Sequence, residues 1–244
     1  VILEGIHIVI LREAICHCGL APQSQSPVIL SRDMPRHVPH PPLPQESSEK
    51  DSCVYYSFST KTIKNTTNMN KQIATHFITK IAPSKDYRNS SPVKKMDLLL
   101  PDFRGKLERA INKFNEKYPD VEVLIYETYR SNILQQKYFT AGVSKIRQNG
   151  MHHFGIAADC AFRINGKFSY SGDYKHLHKC FRDEGLVRLS WEEAHIQLIP
   201  VSAQEQLRNE VNKEIKKFQK ENGLTPDGII GIKTLKKLSE IYPI

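Results

Sequence analysis

The stretch Gly150-Met151-His152-His153-Phe154-Gly155-Ile156-Ala157-Ala158-Asp159 decides how this chain is read. Two glycines bracket a turn, and Ile156 to Ile164 then reads as a strand. A carboxylate between Ala157 and Ala161 inside that strand needs a partner, because burying it unpaired is costly. The two alanines share its face of the strand and leave space beside it for an ion.

Working outward, Leu107, Ala110, Ile111, Phe114 and Tyr118 recur at helical spacing, and Pro119 ends the run. Val121, Val123 and Ile125 alternate as a strand does. Ser131 or Asn132 can cap a second helix that stops near Gly142. Tyr174, Leu177 and Phe181 mark another helix closed by Gly185, and a last strand is expected from Ala194 to Ile199. Strands and helices mixed in this order predict an α+β domain over residues 96–200.

Beyond it, Leu207, Val211, Ile215 and Phe218 line one face of a long helix that Gly223 stops. A Pro226-Asp227-Gly228 turn and a short helix from Lys233 to Ile241 complete a small all-α module over 203–244. A unit of this size rarely stands alone, so it is expected to lean on the preceding domain. Residues 1–95 have another character. Five prolines crowd the stretch from Pro35 to Pro44, and residues 57–94 are rich in Ser, Thr, Asn and Lys. This region is expected to be mostly unstructured linker, with Met69 and Met96 as candidate starts. Glu4, Arg12 and Glu13 around Ile8 to Leu11 make a poor signal-peptide core.

Composition narrows the class. The chain has 244 residues, and 35 basic against 26 acidic side chains leave a formal net charge of +9. Hydrophobic residues make up 39 % and the mean hydropathy is −0.46, which fits a globular chain. No run approaches the ~18 apolar residues of a spanning helix, so no integral membrane span is expected. Five scattered cysteines with no CxxC pair exclude a disulfide scaffold and a zinc finger. The positive charge suits nucleic acid, an anionic membrane or an acidic wall polymer. No aromatic–basic platform or helix-turn-helix spacing stands out, and nucleic acid is not the expected partner.

His152, Asp159 and His195 are the candidate metal ligands. Two imidazoles and one carboxylate give zinc three protein ligands, with the fourth position left for a water whose pKa the ion lowers towards ~7. Glu192, three residues before His195, can act as general base; Glu193 is its nearest competitor. Arg130 can stabilise an oxyanion or hold a substrate carboxylate. His153 stays open on chemistry alone, whereas His176 and His178, two apart on a helix, point to different faces.

The run from His152 to Asp159 resembles the HxxGxAxD signature of the VanY-like zinc peptidases. That family comprises D-alanyl-D-alanine carboxypeptidases and the L-alanyl-D-glutamate endopeptidases of phage endolysins. Glu192-Glu193-Ala194-His195 looks like its second element, an acidic residue three before a His. Arg130, Ser131, Gln135, Tyr138 and Gly142 look like a third, and Leu100-Pro101-Asp102-Phe103 is similar to the family lead-in. The resemblance covers residues 96–200. It implies a small central antiparallel sheet with flanking helices, and one Zn2+ per chain on His152, Asp159 and His195. It selects His152 over His153, because only His152 stands seven residues before the Asp. It also implies Glu192 as base and Arg130, Ser131 and Gln135 as substrate contacts. Gly150 replaces a Ser common in the family, and no Trp-Gly-Gly stretch precedes the last motif.

Phe218-Gln219, Gly223-Leu224, Asp227 to Gly231 and Thr234 to Leu238 look like a peptidoglycan-binding module. The expected function is therefore a zinc metallopeptidase of peptidoglycan stem peptides, foremost an endolysin-type L-alanyl-D-glutamate endopeptidase. The alternatives are a D-alanyl-D-alanine carboxypeptidase and a non-catalytic wall-binding protein. The expected state is a monomer acting at the bacterial cell wall, reached by phage-like release or by an export route not visible in the chain.

Overall fold

The sheet is built on β2, Ala157–Ile164, the strand expected from the sequence. The computed structural model describes the backbone of residues 60–244 and the side chains from Thr66 onward. β1, Val121–Glu127, runs antiparallel along one edge of β2. The other edge is shared: β5, Glu192–Gln197, pairs with its first half, and β3, Lys167–Ser169, with its last residues. β4, Val187–Leu189, pairs with β5 and completes a five-stranded antiparallel sheet. The short strands β3 and β4 had no reading in the sequence, since three residues carry too little alternation to register.

One face of the sheet is covered by helices. α2, Pro101–Lys117, starts with Pro at its first turn and buries Phe103, Leu107, Ala110 and Phe114 along one stripe. Phe114 meets Phe162 of β2 at 5.6 Å between ring centroids. α4, Tyr174–Asp183, is capped by Asp173 and brings the Tyr174 ring to 4.8 Å from Phe162. Each such ring contributes about 1.5–3 kcal/mol by leaving water. α3, Asn132–Thr140, is capped by Ser131, whose Oγ accepts from Leu134 N at 3.1 Å.

The expected linker needs correction over residues 60–95. Thr60–His76 forms α1, which continues as a π-type turn over Phe77–Ile81. Ile73, Ala74, Phe77 and Ile81 are buried within the main core. Their i, i+1, i+4, i+8 spacing is helical, but the polar residues around them dominate the composition and mask it. Val93 then bridges to Tyr129, and Thr128 N donates to Val93 O at 2.7 Å. Residues 1–59, with the apolar stretch from Ile8 to Leu11 and the Pro-rich stretch, lie outside the described residues.

α5, Gln204–Glu221, packs against α1 and buries Leu207, Val211, Ile215 and Phe218 in the same core. Gly223 follows at φ +67°, and α6, Ile232–Ile241, contributes Leu238. Among the described residues no helix is long and apolar enough to cross a membrane. Cys160 and Cys180 are buried free thiols.

Candidate metal centre

Sheet register assembles the site. Asp159 of β2 pairs with His195 of β5 on one side and with Glu127 of β1 on the other. Cross-strand partners put their side chains on the same face, so these three form a row across the sheet. Glu127 reaches the row through an irregularity: Ile125 pairs with Cys160 and Glu127 with Asp159, leaving Tyr126 as the extra residue of a bulge. His152 comes from the turn Met151–Phe154, which Gly155 closes in the left-handed region at φ +67°. A side chain at Gly155 would collide with the Leu98 carbonyl, so glycine is required for the approach of residues 96–98.

The donor atoms converge. His195 Nδ1 lies 3.0 Å from Asp159 Oδ1, His152 Nε2 lies 3.1 Å from the same oxygen, and the two ring nitrogens are 3.2 Å apart. All three side chains are buried, and together they can hold a metal ion. Tautomer logic tests the fit. Gln197 Nε2 donates to Ile199 O at 2.6 Å, so its Oε1 is the atom facing His195 Nε2 at 3.1 Å. That oxygen only accepts, which puts a proton on His195 Nε2; in the neutral ring Nδ1 is then the lone pair that faces Asp159. These atoms can share protons or converge on a metal ion, and the donor set N, N, O suits a divalent one. His152 Nδ1 is buried without a hydrogen-bond partner.

The same geometry explains the acid–base behaviour. Burial alone would push the Asp159 carboxyl up, but His152 and His195 against it hold it well below the carboxylate range. Burial alone would lower His195, yet Asp159 and the charge of Glu192 raise it. These are the shifts expected of a carboxylate and imidazoles in direct contact.

Arg130 lies behind the site. Its Nη2 donates to Asp159 Oδ2 at 3.1 Å and also to Glu127, while Nε donates to Glu127 Oε1 at 2.9 Å. The guanidinium is itself almost buried and stacks over the Tyr138 ring at 4.9 Å. Ser131 and Gln135 are engaged inside the fold. Ser131 Oγ donates to Asn89 O, and Gln135 Nε2 donates to Ser144 Oγ at 2.8 Å and Ile146 O at 2.7 Å. Glu192 stands exposed at the first residue of β5. The β4–β5 register shifts between Arg188 and Leu189, where Leu189 pairs with Glu192 and Arg188 with Ile196. Glu193 is also exposed, and its carbonyl accepts from His178 Nε2 at 2.7 Å.

His153 is not a member of the group. Its Nδ1 faces the Arg130 carbonyl at 3.3 Å, Nε2 faces Asn132 Nδ2 at 3.3 Å, and the ring stacks on Tyr129. Burial pushes its pKa down to about 4, so it stays neutral. Two participants escaped the sequence reading. Glu127 could not be placed from the sequence, because strand parity groups it with Val121, Val123 and Ile125 and only the bulge turns it to the Asp159 face. Gln197 shares a strand face with His195 two residues earlier, a spacing that by itself says little.

Comparison with known proteins gives three findings. Residues 194–238 match the family model of a putative peptidoglycan binding domain, a segment that begins within β5 and includes His195. This similarity supports peptidoglycan as the partner. No curated protein matches the chain. Among solved structures, an L-Ala D-Glu endopeptidase of Serratia marcescens is similar at 21 % identity, covering 48 % of this chain and 96 % of its own, with a TM-score of 0.33.

Proposed function

We propose that the chain is a zinc-dependent peptidase of bacterial peptidoglycan, cutting stem peptides between L-Ala and D-Glu at the cell wall. The observation that carries this reading is the convergence of His152 Nε2, His195 Nδ1 and Asp159 Oδ1 within 3.0–3.2 Å of one another in a buried group. The match of residues 194–238 to a peptidoglycan-binding family supplies the substrate class. One Zn2+ would be held by His152, Asp159 and His195, and supplies Lewis acidity when bound.

The protein's own groups have separate tasks in this reading. Glu192, whose charge is felt at His195, takes a proton from the attacking water and returns it to the leaving amine. Arg130 holds Asp159 Oδ2, so that Oδ1 stays aimed at the two imidazoles. Ser131 and Gln135 shape the site indirectly, by capping α3 and tying down residues 144–146.

Digestion of purified peptidoglycan by the zinc-loaded protein, read by mass spectrometry, tests the reading. New L-Ala carboxyl ends paired with D-Glu amino ends are expected. Loss of terminal D-Ala alone would make it a carboxypeptidase. Wall binding without any cleavage would leave a binding protein and overturn the proposal.

A further inference from the structure

The helix α5, inside the segment similar to a peptidoglycan-binding domain, reaches the metal centre through an unbroken run of hydrogen bonds. His195 Nε2 meets Gln197 Oε1 at 3.1 Å. The same oxygen accepts from Gln204 Nε2 at 3.4 Å, and Gln204 Oε1 accepts from Arg208 Nη2 at 3.0 Å. Gln197 and Gln204 are both buried. Arg208 Nε donates in turn to the Asn149 carbonyl at 3.1 Å. Asn149 sits at φ +55° and is held again by Asn132, through its own N and its side-chain oxygen, both at 2.8 Å. Three residues later stands His152.

The run is fixed from both sides: the Ile199 carbonyl orients Gln197, and Arg208 orients Gln204. An amide side chain accepts or donates according to which way it is flipped, whereas a guanidinium only donates. With Arg208 donating, Gln204 must present its oxygen to Arg208 and its nitrogen to Gln197. Gln197 must then present oxygen to Gln204 and to His195, which places the imidazole proton on Nε2. A lysine could satisfy one of the two contacts of Arg208; the planar fork satisfies both.

We infer that Arg208 is a positioning residue of the metal centre. From α5 it braces Gln204 against Gln197, the partner of His195, and places the His152 turn through Asn149. Helix α5 and the metal site are then one mechanical unit, and an ion binds tightly only when α5 is docked. This inference rests on the reading of His152, Asp159 and His195 as metal ligands.

The test is zinc affinity of the full chain, by competition with a chromophoric chelator, alongside the absorption spectrum of the cobalt-substituted protein. Arg208→Met keeps the aliphatic stem and removes every donor; about tenfold weaker binding is expected, the range seen when outer partners of metal ligands are lost. A changed cobalt spectrum should accompany it, because a simple loss of stability would leave the ligand field of folded protein intact. Arg208→Lys should recover part of the affinity. Gln204→Met breaks the run in the middle, leaves the Arg208–Asn149 bond, and serves if Arg208→Met does not fold. Wild-type zinc affinity and spectrum in either folded methionine variant would overturn the inference and leave the metal site standing. A wild-type chain that binds no zinc would overturn both.

Discussion

Arg130 Nη2 donates to Asp159 Oδ2 at 3.1 Å, while Asp159 Oδ1 is turned to His152 and His195. One carboxylate is thus divided between a permanent cation and two imidazoles. Glu127 neutralises the guanidinium from behind, so Arg130 contributes orientation with little net charge at the site.

Glu192→Gln keeps the shape of β5 and removes a base. Hydrolysis of peptidoglycan should fall by about 10²–10⁴-fold, with metal content unchanged. A rate assay beside metal analysis of the same sample checks it, and wild-type turnover would remove Glu192 from the chemistry.

Glu127→Ala leaves Arg130 buried with half of its partners gone. Breaking a buried pair from one side costs about 3–5 kcal/mol, so a clear drop in the denaturant midpoint is expected. An unchanged midpoint would mean that solvent reaches the guanidinium and that the pairing is dispensable.

Phe77→Ala tests whether residues before Met96 belong to the folded body. Phe77 is buried against Phe154 and His153, with ring centroids at 5.3 and 5.2 Å. Truncation of a packed aromatic costs about 3–5 kcal/mol. A chain expressed from Met96 would lose Ile73, Phe77 and Ile81 together and is expected to be insoluble. Soluble, cooperatively melting protein from Met96 would return this segment to the status of a linker.

The contrast between α1 and β2 shows what was legible in the sequence. β2 could be read because Ile156 to Ile164 is apolar apart from Asp159 and Arg163, and the misplaced carboxylate marked the site. α5 could be read because Leu207, Val211, Ile215 and Phe218 hold a strict helical stripe. α1 carries a similar stripe, but Lys, Asn and Thr surround it and a Pro-rich stretch precedes it. Composition over a long window hid periodicity over a short one. The three ligand positions were legible as residue types, whereas their partners were not. Glu127 depends on a bulge, and Gln197, Gln204 and Arg208 meet only through the docking of α5.

Gly155→Ala would force a side chain into the left-handed region and against the Leu98 carbonyl. A loss of at least about 1 kcal/mol is expected, together with weaker metal binding because the His152 turn must shift. Thermal melts with and without zinc separate the two effects; equal melts for variant and wild type would contradict the close approach.

Metal content of the purified chain tests the central claim most directly. After zinc loading and removal of excess ion, the wild type should carry one zinc per chain, and Asp159→Ala and His195→Ala should carry almost none while keeping their folded circular dichroism. A wild-type chain without zinc, or variants that retain it in full, would contradict the account.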